Sequence, residues 1–167
     1  MSIEDDLAKL AEQEKALVLP YFDNDIAWRI GTTLRNIAIQ RKFGVVIDVR
    51  RFGQPLFFCA LEGTSFANSD WVRRKSNVVA HFLRSSYAVG LDLRKKKTTL
   101  MEKHALPSSD YAADGGSFPI CVENAGVIGS VTVSGLPQRD DHELVVEVLC
   151  LETRRDFTSL RLSPQDL

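Results

Sequence analysis

The sequence predicts one α/β (α+β) domain over residues 1–167, a largely antiparallel sheet flanked by helices. Three observations predict it. The chain has 167 residues, 44% of them hydrophobic and 26% charged, the size and balance of one globular core. Apolar residues recur at helical spacing near both ends and in the middle. Between these stretches lie short β-branched and aromatic runs bounded by glycine turns, the pattern of hairpin strands.

Ser2 followed by Asp5 opens a first helix whose apolar stripe is Ile3, Leu7, Leu10 and Leu17, and Pro20 ends it. Asp23 caps a second helix running to Lys42, because Ile26, Ile30, Leu34, Ile37 and Ala38 fall on one face; Gly44 stops it. Val45–Val49 and Pro55–Ala60 read as the strands of a hairpin. The spacing predicts a helix over Asn68–Tyr87 and further helix in Leu91–Leu106. A polar, glycine-containing loop follows Pro107. Phe118–Val122 and Val127–Val133 are two more strands, joined by a turn over Asn124–Gly126. A last helix spans about Arg139–Leu151, with Asp140, Asp141 and Glu143 at the positive end of its dipole. The tail from Asp156 is expected to add a short strand or wrap a neighbour. No repeat or low-complexity linker divides the chain.

Composition narrows the function. Twenty-one basic against 22 acidic residues leave a formal charge of -1, so nothing draws the chain to nucleic acid or an anionic membrane. Cys59, Cys121 and Cys150 form no CxxC or Cys/His pair and sit among apolar neighbours, as small buried hydrophobes do. An odd thiol count, with an acidic start at Glu4, Asp5 and Asp6 where an export signal would be basic, points to a cytoplasmic setting. No apolar run approaches a membrane span.

One lysine breaks the pattern of its helix. Lys75 falls between Trp71, Val72, Val78, Val79 and Phe82, on the apolar face, whereas Arg73, Arg74, Asn77, His81 and Arg84 share the opposite one. It must snorkel, meet a structural carboxylate, or contact the acidic group of a ligand. Gly115, Gly116, Gly126, Gly129 and Gly135 concentrate half of the ten glycines in one stretch, which specifies backbone geometry there. Gly115 and Gly116, ahead of Phe118 and Pro119, suit either a tight loop entering a strand or an exposed row of amides facing an anion. His81, His104 and His142 show no metal-ligand spacing; each reads as a solvated or interface histidine, and each, like Met101, is an open candidate for an axial haem ligand. Arg94–Lys97 is a solvated turn. No Gly-x-Ser-x-Gly or other catalytic constellation is present.

Two stretches carry a family resemblance. Trp71–Phe82, with Lys75 inside an apolar face, and Gly115-Gly116-Ser117-Phe118-Pro119-Ile120 followed by Gly126–Gly135 and Asp141, resemble the GlcG/HbpS (haem-degrading domain) family. Ser134–Gln138 ahead of Asp141 and His142 looks closer still to a cytosolic, uncharacterised branch of it. The resemblance implies a profilin-like fold, a homo-oligomer, and haem binding or degradation in some members. The reading that follows is a homo-oligomer binding a small anionic ligand, haem among the candidates, near Lys75, Trp71, Gly115, Gly116, Phe118 and Pro119. A non-catalytic assembly or adaptor protein and an enzyme acting on a small oxygenated acid are the alternatives.

Overall fold

The computed structural model describes residues 2–164. Helix α1 (Ile3–Ala16) opens on a reciprocal cap in which the Ser2 hydroxyl accepts from the Asp5 amide and the Asp5 carboxylate accepts from Ser2. Helix α2 (Asn24–Gln40) is capped by Asp23, whose carboxylate takes the Ile26 amide at 2.8 Å. Between them lies a two-residue strand, β1 (Val18–Leu19), which the sequence pattern did not disclose because two residues carry no period. The hairpin is β2 (Val46–Arg51) and β3 (Gln54–Ala60), turning through Gly53 at φ +79°.

The expected helix over Asn68–Tyr87 is two helices, α3 (Phe66–Phe82) and α4 (Ser86–Lys95). The break has a local cause. Leu83 takes a left-handed conformation, and the Ser85 hydroxyl accepts from the Ala88 amide to start a new helix. The region after Leu91 holds only the end of α4 and the short helix α5 (Leu100–His104), set off by left-handed Lys97 and Ala105. Strands β4 (Ser117–Val122) and β5 (Gly126–Ser134) follow, then α6 (Gln138–Thr153) and a short α7 (Phe157–Leu160). Among the described residues the tail from Asp156 thus holds a short helix and no strand. It folds back on its own molecule, with Gln13 Nε2 donating to the Leu160 carbonyl and the Leu162 amide donating to Glu143.

The sheet order is β1-β4-β5-β2-β3, antiparallel except where β1 runs parallel to β4. Side chains alternate across it. Ile47, Val49, Phe118, Ile120, Val131 and Val133 face the main core, where α2 and α6 contribute Ile30, Leu34, Val145 and Leu149. The opposite face of β5 carries Ser130, Thr132 and Ser134, and α3 packs over it. Ser117 and Thr132 share a hydroxyl bond of 2.8 Å there, and buried Asp48 is held by both Nε and Nη2 of Arg50. A polar layer under α3 explains how a lysine is accommodated on that helix's inner face. A smaller cluster joins Leu10 of α1 to Tyr87, Ala88 and Leu91 of α4.

Candidate functional site

Three elements converge on Lys75. It leaves the middle of α3, reaches the end of β5, and meets the first turn of α6. Its ammonium donates to the Val133 carbonyl at 3.1 Å and to Asp141 Oδ2 at 3.0 Å, with the side chain only 4% exposed. Asp141 also accepts from the Leu136 amide at 2.9 Å and the Gly135 amide at 3.4 Å. Its carboxylate thus fills the anion position at the start of α6 and ties the turn after β5 to that helix. Burial pushes the Asp141 carboxyl above its ordinary value, and Lys75 and the two amides pull against it.

Gly116 backs this pair. A Cβ there would overlap the Val133 carbonyl oxygen and lie 2.7 Å from Lys75 Nζ, and its φ of +134° is one that other residues rarely adopt. The Gly115 amide donates to Gln138 Oε1 at 3.0 Å. The tandem glycines therefore bring the β4 entrance against α6, and the Gly115 amide is taken up by a protein group, Gln138 Oε1. Phe118 lies on the other face of the sheet, in the main core against the His142 ring, and Pro119 is buried within β4. Neither lines the two clefts beside Lys75. For Phe118 the reason is the pleat, since a residue directed into the α2–α6 core cannot also face α3; Pro119, paired with Ser130, lies on the α3 side of the sheet and is buried there.

Two clefts open beside the ion pair. A polar one of about 220 Å³ is lined by Asn68, Trp71, Lys75, Asp114, Ser134, Gly135, Leu136, Gln138 and Asp141. Its chemistry follows from what the side chains already do. Asn68 Oδ1 accepts from the Ser65 amide and Gln138 Oε1 from the Gly115 amide, and neither NH2 group has a hydrogen-bond partner among the described residues. Lys75 uses two of its three protons. The cleft thus presents unpaired donors, while Asp114 is its carboxylate without an ion-pair partner among the described residues. The sequence had marked Lys75 and Trp71 but not Asn68, Asp114, Ser134 or Gln138. Only the Ser134–Gln138 motif hinted at the last two.

The second cleft, about 550 Å³, shares Trp71 and Asp114 and adds Arg74, Gly90, Leu93, Thr99, Leu100, Met101, Leu106, Ser108, Tyr111, Ala112 and Ala113. The Arg74 guanidinium lies 4.1 Å from the Trp71 ring centre and is held by Asp70 at 2.9 Å. No histidine lines either cleft. His81 and His104 are exposed and lie edge-on to Phe82. His142 is not solvated but sealed, its Nε2 bonded to Gln13 Oε1 at 2.8 Å, because its position on α6 faces α1 and the Tyr87 and Phe118 rings. Of the thiols only Cys150 is fully buried; Cys59 and Cys121 are half-buried, each at a sheet position near an edge.

These features define a class: an α+β domain with a mostly antiparallel five-stranded sheet and paired clefts beside a buried Lys–Asp pair. A model of the family described as haem degrading protein HbpS-like matches residues 22–150. The chain belongs to the HbpS-like family. It is 58% identical over 163 residues to a UPF0303 protein of Paraburkholderia phymatum, covering 98% of this chain and 99% of that one. A UPF0303 protein of Burkholderia pseudomallei is 57% identical over the same span. Among solved structures, the Ybr137w protein matches with a TM-score of 0.82 at 30% identity, over 89% of this chain and 87% of that one. A PduOC:heme complex matches with a TM-score of 0.63 at 15% identity, over 80% and 94%, a likeness of fold.

Proposed function

We propose that this chain binds a small anionic ligand in the polar cleft over the Lys75–Asp141 pair. The observation that carries the reading is the set of unpaired donors on Asn68, Gln138 and Lys75, each fixed in direction by a bond the same side chain makes elsewhere. Groups held this way lose little freedom when an acceptor arrives. At about 220 Å³ the cleft suits a short acid and lies below the roughly 300 Å³ at which drug-sized pockets begin. Asn68→Asp and Gln138→Glu keep the oxygen that caps α3 or holds Gly115 and replace the free NH2 with a second oxygen. Calorimetry with propionate should show binding to the wild type and at least about a tenfold loss in either variant. Equal affinity in all three would remove the reading.

Haem is a second reading, and a separate observation favours it. The polar cleft is too small for a tetrapyrrole, but the 550 Å³ cleft is mostly apolar and its lining includes Met101 and Tyr111, both of types that ligate haem iron elsewhere. Arg74 would pair with a propionate, and Trp71 would flank the macrocycle. Bound iron would supply redox chemistry; the chain's own residues supply the apolar seat and the cation. The family description and the fold shared with a haem complex support this reading. A Soret shift on haem addition should weaken in Met101→Leu or Tyr111→Phe, and a shift indifferent to both would assign it to nonspecific adsorption.

Self-association and a reducing, cytoplasmic setting complete the proposal. The apolar edge of the sheet at β3 supports the first. Three free thiols support the second.

A further inference from the structure

We infer that the two clefts receive one ligand, a carboxylic acid that carries an aromatic ring. The acid lies over Lys75 and Asp141, and the ring lies in the wider cleft beyond Trp71. This rests on the reading of the polar cleft given above and extends it to the ligand's other half.

Continuity is the first argument. Trp71 and Asp114 belong to both linings, so a molecule anchored at the ion pair has the wide cleft as its neighbouring space. The second is the change of chemistry along that path. Unpaired donors at one end give way to Leu93, Leu100, Met101, Leu106 and Tyr111 at the other. A ligand polar throughout would leave the second half unused, and one apolar throughout would leave the donors unmet.

Shape favours a ring over a flexible chain. Gly90, Ala112 and Ala113 contribute almost no side chain to the lining, and α4 approaches so closely that a Cβ on Gly90 would overlap the Ala113 carbonyl oxygen. Such a surface is low, and aromatic side chains border it at Trp71 and Tyr111. Trp71 is held in place, since Arg74 covers it at 4.1 Å and Asp70 anchors Arg74. A fixed indole offers an edge or face to another ring at little entropic cost. The cover is adaptable. Helix α5, five residues long between left-handed Lys97 and Ala105, carries Met101, which is 54% exposed and contributes an unbranched thioether that can close over a ring. Unlike haem, such a ligand needs no iron ligand, and a single ring leaves the polar cleft free for its own acid group.

The test compares two acids that differ only in the ring. The chain has two tryptophans, so Trp28→Phe leaves Trp71 as the sole indole, and its emission reports occupancy of either cleft. Propionate and 3-phenylpropionate are titrated into this protein. The expected result is saturation by both, with phenylpropionate at least about tenfold tighter, the gain from burying a phenyl group. That advantage should fall to near one in Met101→Gln combined with Leu106→Gln; should the double change unfold the protein, Met101→Gln alone, at an exposed position, must at least halve it. Equal affinities for the two acids, or an advantage that survives in the variants, would overturn the inference and leave the polar-cleft reading intact. Binding by neither acid would overturn both.

Discussion

Lys75 shows how one residue can be anomalous in a pattern and ordinary in its surroundings. An ammonium on the inner face of α3 is tolerated because Asp141 and the Val133 carbonyl meet it and the layer beneath is polar. Breaking such a pair costs more than never having made it. Lys75→Met leaves Asp141 buried without its counter-charge and should lower stability by roughly 3–5 kcal/mol at neutral pH. The loss should depend on pH with a definite sign. Burial already raises the Asp141 carboxyl, and removing Lys75 raises it further, so the folded variant holds its proton more tightly than the unfolded chain. Its deficit should be smallest near pH 3, where Asp141 is mostly neutral in both states, and grow as the pH rises through the unfolded carboxyl value of about 3.9 toward 7. Urea unfolding of Lys75→Met across that range measures it, and Lys75→Met with Asp141→Leu should recover much of the loss. A deficit that is flat with pH would mean that Asp141 is not the group left stranded.

Helix α6 carries the same lesson over sixteen residues. Its apolar period and acidic first turn were legible, and so was its span to within two residues at either end. Which of its polar residues are buried was not, because Asp141 and His142 are inward only through partners more than 60 positions away, Lys75 and Gln13. For the same reason the capped starts of α1 and α2 could be read from Ser2 and Asp23, whereas the break between α3 and α4 could not. A left-handed Leu83 leaves no mark in an amphipathic pattern. The site was legible to the extent that one residue contradicted its helix; Asn68 and Gln138 contradicted nothing. His142 gives α6 an acid sensitivity of its own. Burial pushes its pKa down to about 3, so the folded state excludes a proton that the unfolded chain accepts from about pH 6.5 downward. The stabilising difference is whole above that value and is lost toward pH 3, at about 1.4 kcal/mol for each unit. Denaturant midpoints measured from pH 7 to 4.5 should fall for the wild type and fall less for His142→Gln. Parallel curves would show that other groups set the acid response.

The whole molecule presents its sheet unevenly. At one edge β1 is only two residues long, but at the other β3 runs seven residues with no strand beyond it among the described residues. From Phe52 to Leu61 there is no charged residue, and Phe58 is 53% exposed, with Phe66 at the start of α3 84% exposed. Edge strands that remain alone are usually blunted by lysine, by a short span or by a covering element. None of these blunts β3; it carries Pro55, which removes one donor, and a bulge at Leu56, which leave Phe57–Ala60 able to pair. A second copy meeting this edge about a two-fold axis would satisfy both strands with one contact, the usual solution for a homo-oligomer. Sedimentation at micromolar concentration should therefore give a mass at least twice the 18.7 kDa of one chain. Phe58→Lys, on an exposed position, should shift the protein toward monomer while leaving its thermal unfolding cooperative. A wild type that stays monomeric would end the self-association proposal. An oligomer untouched by Phe58→Lys would move the contact to another surface, such as one carrying Trp28 or Ile39 of α2 or Leu151 of α6, each exposed and apolar.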